Sequence, residues 1–233
     1  MRALEKNIKG FNILELLVVI AIIGIISAAA YPNFSSWKKE REARASTVKI
    51  KNLIQGINAQ VQRGLYAYVQ VRVEAMDDRL AITSKGMKMD TLTSKINDGS
   101  SDWNSDATTR CDIDSTGYWD DDGSIDDRIE VAHIELENVT TNFEGAVGAV
   151  CFSKNAKWYS GGGNFVSVSG GETSVDNLFF ICTRNNDFPK CDVDESSGIP
   201  QKNHDNLYLV EWSRFGNVTM EKWSKSQLDW ILQ

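Results

Sequence analysis

Residues 10–37 read GFNILELLVVIAIIGIISAAAYPNFSSW, and one residue in this stretch is out of place. Glu15 sits near the start of an apolar run that carries no further charge up to Trp37. An ionised carboxylate in hydrocarbon is costly, so a carboxylate in this position is functional by default. As a helix, residues 16–37 would be about 33 Å long, enough to cross the ~30 Å hydrocarbon core of a bilayer. Arg2, Lys6 and Lys9 precede the run, and a basic flank points to a cytoplasmic N-terminus. A secretory signal would carry its small-residue cleavage site after the apolar run, where Ser27-Ala28-Ala29-Ala30 could pass for one. A plain signal anchor would leave Glu15 unexplained. A third reading places cleavage before the run, after Gly10.

The chain has 233 residues, room for one medium domain or a smaller one with an appendage, and long enough to bury a core. Its formal net charge of −7 argues against a nucleic-acid or anionic-membrane footprint. The four cysteines, Cys111, Cys151, Cys182 and Cys191, are spaced by 40, 31 and 9 residues, with no close pair and no Cys/His cluster. A zinc site needs such close pairs. An even number of cysteines downstream of a membrane segment points instead to an oxidising compartment. Cys182 and Cys191 close a short loop at little entropic cost, which makes them the preferred bridge. Cys111 and Cys151 are then left to pair by elimination, although sequence leaves the other connectivities open.

Beyond Trp37 the helical pattern turns amphipathic. Val48, Ile50, Leu53, Ile54, Ile57 and Val61 recur at helical spacing between polar residues, and Gly64 is placed to end the helix. Tyr68 to Glu74 alternates apolar and polar, the pattern of a half-buried strand. Residues 84–128 read as polar and loop-like. Strand-like runs follow at 129–136, 147–153, 164–169, 178–183, 207–213 and 217–223. No helix of length is expected between 66 and 224, and 226–233 reads as a terminal turn or short helix. The fold class expected is α+β: a long N-terminal membrane-spanning and amphipathic helix packed on an antiparallel β domain.

Few other residues carry chemistry. Asp120, Asp122 and Asp126 belong to an acidic cluster of the oxygen-rich kind that can take calcium. With Gly123 as the loop glycine, however, Tyr118 and Ile129 would fall at ligand positions, and a solvated acidic loop is the plainer reading. His133 and His204 have no nucleophile or carboxylate arrangement around them and read as structural. Ser153 and Ser213 lack a nucleophile-elbow context. The 161–163 glycines lead to a strand, not to a phosphate-binding helix. No catalytic site, metal or cofactor is expected, and Trp103, Trp119, Trp158, Trp212, Trp223 and Trp230 read as core.

The segment Gly10-Phe11-Asn12-Ile13-Leu14-Glu15 resembles the processing site of type IV prepilins and type II secretion pseudopilins. The resemblance implies a leader of residues 1–10, cut after Gly10 by prepilin peptidase, and methylation of the new N-terminus at Phe11. Residues 11–37 would be the transmembrane and filament-core helix, 38–65 its amphipathic half and 66–233 a periplasmic β-rich domain. Glu15 would meet the N-terminal amine of a neighbouring subunit during assembly. Gly24 and Pro32 fall where such helices carry a glycine and a proline. Asn12 stands where Thr or Ser is common. Phe179 to Cys182 and Leu207 to Val218, with its Ser213-Arg214-Phe215-Gly216 turn, resemble the closing strands of GspH/FimT-like minor pilins and pseudopilins.

The partners implied are other major and minor subunits, the inner-membrane assembly platform, the peptidase and the lipid bilayer. The location implied is the bacterial inner membrane, with a single pass and a periplasmic C-terminal domain, and then the filament. A binding-module alternative, a DNA-uptake receptor, would need clustered Lys and Arg. The last hairpin offers Arg214, Lys222 and Lys225 against Glu211, Glu221 and Asp229, with Asn217 and Thr219 where some relatives carry arginine. Sequence leaves pilus and secretion machine undivided.

Overall fold

A computed structural model describes residues 12–99, 103, 107–111, 118–119, 129–142, 147–155, 158–163, 177–185, 190–194, 198–201, 206–213 and 217–233. Of these, 29–33, 107–108, 129–131, 158–163 and 179 are described by backbone alone. Gly10, Phe11, the acidic residues Asp120, Asp122 and Asp126, the run 164–169, His204 and Arg214 lie outside the described residues. The chain divides into two compact units, Met1–Lys39 and Glu40–Gln233.

The first helix, α1, spans Ile13–Gln62. In the first unit its large apolar side chains from Ile13 to Ile26 are exposed on every side. The helix runs on through Pro32, whose missing N–H leaves the Ala28 carbonyl without an intrahelical donor. Among the described residues no helix is long and apolar enough to cross a membrane. The described side chains of the apolar run end at Ala28, about 22 Å from Ile13 at ~1.5 Å per residue; the sequence itself stays uncharged to Trp37.

In the second unit, α1 buries one stripe: Ala43, Thr47, Ile50, Ile54, Ile57 and Val61. These recur every three or four residues, as one helical face must. Val48, expected on that face, is 36% exposed instead, one residue off the stripe that Thr47 occupies. Gly64 ends the helix as expected. Its φ of +78° is a left-handed conformation that costs glycine nothing, and its N–H donates to the Val61 carbonyl at 2.9 Å.

Ten strands follow among the described residues, in two antiparallel sheets. One sheet holds β1 (Tyr68–Ala75), β2 (Leu80–Met87), β3 (Ile129–Leu136), β5 (Val147–Ser153) and β6 (Trp158–Gly163), in the order β3-β2-β1-β5-β6. The other holds β4 (Val139–Thr141), β7 (Leu178–Thr183), β8 (Leu207–Trp212), β9 (Val218–Ser224) and β10 (Asp229–Leu232), in the order β10-β9-β8-β7-β4. Val69, Val71 and Val73 of β1 share one core with the α1 stripe and with Tyr208, Val210 and Trp212 of β8. The rings of Phe152 and Trp212 meet edge-on in it at 6.3 Å.

Several expectations need correction. Strand β1 is buried on both faces at its Tyr68 and Gln70 end, while Arg72 and Glu74 stay partly exposed. Its other side, with Tyr68, packs with Met87, Trp103, Cys111, Trp119 and Cys151. Gln70, polar in the alternation, is buried there because its Nε2 donates to the Cys111 carbonyl at 2.7 Å. The 84–128 region is not all loop: it completes β2 and contains α2 (Met89–Asn97) and the short α3 (Ala107–Cys111). The 161–163 glycines lie inside β6. The chain ends in strand β10 and not in a helix, paired with β9 from Asp229↔Ser224 to Leu232↔Glu221. The remaining strands, β3, β5, β7, β8 and β9, stand within a residue of where alternation placed them.

Candidate functional site

Local chemistry sets the start of α1. The Leu14 N–H donates to Asn12 Oδ1 at 3.3 Å, and the Leu16 N–H donates to the Asn12 carbonyl at 3.1 Å. Asn12 is therefore the N-cap, a position at which Asn, Ser and Thr satisfy the same orphan donors. The departure from Thr or Ser noted in the sequence thus preserves the physical role. The cap escaped sequence reading, though its signal was present: Asn12 and Glu15 have the cap-to-third-residue spacing of a capping box.

Glu15 lies in the first helical turn, where the positive end of the helix dipole favours a carboxylate. It is exposed and has no ion pair among the described residues. Gly24 also faces open space: an added Cβ would meet nothing within 4 Å. Packing inside this chain therefore does not require a glycine there. Pro32 continues the helix, and Gly10 and Phe11 lie outside the described residues. The sequence-read residues Glu15, Gly24 and Pro32 are thus brought onto one helix.

In the second unit, Cys182 and Cys191 form a disulfide with Cα atoms 5.7 Å apart, as the short loop predicted. It ties the segment after β7 to the sheet, where the Cys191 N–H donates to the Thr141 carbonyl at 2.8 Å. The second expected bridge is corrected: Cys111 and Cys151 are free, buried thiols. Cys151 Sγ lies 3.9 Å from the Cys111 carbonyl oxygen, an oxygen that Gln70 also engages. Elimination counts sulfurs and cannot see which atom of a residue is held against its neighbour. Burial, and then the neighbouring Cys111, push the Cys151 thiol well above its ordinary range, so it is a poor nucleophile in the folded chain.

His133 is half-exposed. Its Nδ1 shares a hydrogen bond with the Thr83 hydroxyl at 2.9 Å, and its Nε2 lies 3.5 Å from Glu135, a hydroxyl and a carboxylate that the sequence did not place beside it. Lys222, one of the hairpin cations, is engaged by the Glu40 carboxylate, a pairing that sequence reasoning missed across 182 residues. Trp103, Trp119 and Trp212 are core residues. Among the described residues no group of His, Cys, Asp or Glu could hold a metal ion.

No solved structure matches the chain. Residues 6–31 match the family model described as the prokaryotic N-terminal methylation motif. That match takes in Gly10, Phe11, the Asn12 cap, Glu15 and Gly24, and it supports a pilin-like N-terminus that prepilin peptidase processes.

Proposed function

We propose that the chain is a minor pilin or minor pseudopilin: a structural subunit, without catalytic activity, that primes or caps assembly of a type IV pilus or type II secretion pseudopilus. One observation carries the reading. A helix apolar on every side and exposed on every side needs a non-aqueous surrounding, and its first turn holds a lone carboxylate beside a methylation motif. In this reading the charge-free run anchors the subunit in the inner membrane, with residues 66–233 in the periplasm, until it is drawn into the filament.

A carboxylate at the edge of the hydrocarbon seeks a cationic partner. The methylated amine of Phe11 on a neighbouring subunit provides one, so Glu15 would set axial register as the helices pack. Gly24, open on its own helix, allows close approach of a second helix. The hairpin of β8 and β9 supports the GspH/FimT-like assignment. The Ser213 N–H donates to the Asn217 carbonyl at 2.8 Å across its turn.

The test reads both ends of the proposal. Mass spectrometry of the mature protein should begin at N-methylated Phe11, and Gly10→Leu should leave unprocessed precursor in the membrane. Glu15→Val should insert normally yet enter filaments several-fold less. A mature chain starting beyond Ala30 would establish a secretory signal instead. Normal incorporation of the Glu15→Val protein would remove the carboxylate from assembly.

A further inference from the structure

Two aromatic side chains at the end of the charge-free run stand apart from the others. Phe34 and Trp37 are 60% and 50% exposed. The other large aromatic side chains among the described residues are buried or half-buried. Three residues apart on α1, the two share one face, with ring centroids 5.8 Å apart. Lys38 and Lys39 follow at once. We propose that Phe34 and Trp37 form an interfacial anchor that seats the outer end of the helix at the lipid–water boundary. The inference rests on the membrane reading above and adds a depth to it.

Axial length carries the argument. Glu15 and Trp37 are separated by about 33 Å along a helix, close to the ~30 Å thickness of the hydrocarbon core. A helix that starts with its carboxylate at the inner boundary therefore delivers Trp37 to the outer one. Phe34 lies about 4.5 Å deeper, within the chains. Tryptophan suits the boundary because its ring is apolar with one polar edge. The ammonium groups of Lys38 and Lys39 then reach headgroups and water, with their stems over the apolar edge. The partner is the boundary layer of the bilayer, not a second copy of the chain.

Depth-dependent quenching of tryptophan fluorescence tests this with the full chain in phosphatidylcholine vesicles. The other six tryptophans all lie at or beyond Trp103, so Trp37→Phe isolates the signal. Lipids brominated near the headgroup should quench several-fold more than lipids brominated near the chain ends, and Trp37→Phe should abolish the lipid-dependent quenching. In the Trp37→Phe background, Phe34→Trp should restore quenching with the preference shifted toward the chain ends. Protein that floats with vesicles but shows equal quenching with and without Trp37 overturns the anchor and leaves the membrane reading standing. Floating protein quenched best by chain-end bromines does the same. Floating protein with no quenching places Trp37 against another subunit and also overturns it. Protein that does not float overturns the membrane reading itself.

Discussion

Tyr208 is fully buried in the main core, and its hydroxyl has no hydrogen-bond partner among the described residues. Its ring lies under the Lys222 ammonium, 6.0 Å from the centroid. Burial first, then the Glu40 carboxylate, push the phenol up to about 12, and Arg44 opposes them. An unpartnered buried hydroxyl costs about 1–3 kcal/mol, so Tyr208→Phe should raise stability by about 1 kcal/mol in urea unfolding. A loss of that size would mean that the hydroxyl is satisfied. The sign at alkaline pH follows from linkage. A folded pKa above the unfolded value near 10 favours the protonated native state. Its contribution is full below about pH 10 and is lost as pH rises through about 12. Tyr208→Phe should flatten that part of the stability profile relative to the wild-type chain.

At the scale of elements, the hairpin of β9 and β10 turns through Leu228, whose φ of +52° is left-handed. A side chain there costs ~1–2 kcal/mol, and Leu228 is exposed, so nothing in the core offsets the strain. Leu228→Asn, which tolerates that conformation, should raise the thermal midpoint by an amount equivalent to about 0.5–1 kcal/mol. An unchanged or lower midpoint would show the leucine to be held by contacts that the turn geometry does not reveal. The same hairpin shows why parts of the fold were not legible in the sequence. Asp229-Trp230-Ile231-Leu232 has too few residues to show a period, and its strand character comes from pairing with β9. Strand β2 was hidden by residues chosen for tertiary contacts. Ser84 donates to the Ala132 carbonyl at 3.3 Å, and a Cβ at Gly86 would come within 2.6 Å of the Tyr66 ring. Strands β1, β5 and β7 were legible because their β-branched and aromatic residues fill whole faces. The N-terminal site was legible because its residues are contiguous. The Glu40–Lys222 pair was not, because only the folded domain brings its members together.

At the scale of the whole molecule, α1 changes its surroundings along its length, and the division at Lys39 and Glu40 predicts where the chain can be cut. The first core residue after it is Ala43, and the stripe through Ile50, Ile54, Ile57 and Val61 belongs to the same core as both sheets. Burying each of the four larger side chains contributes ~1.5–3 kcal/mol, so the stripe supplies about 6–12 kcal/mol before entropy is counted. That is comparable to the ~5–15 kcal/mol of net stability typical of a domain. A chain beginning at Glu40 should therefore stay soluble and unfold in one cooperative urea transition followed by far-ultraviolet circular dichroism. It keeps the stripe, the Glu40–Lys222 pair and the Cys182–Cys191 bridge. A chain beginning at Arg63 loses the stripe and leaves the inner faces of two sheets uncovered. It should show no cooperative transition and should aggregate through those faces. Equal stability of the two truncations would mean that the sheets close on each other without the helix.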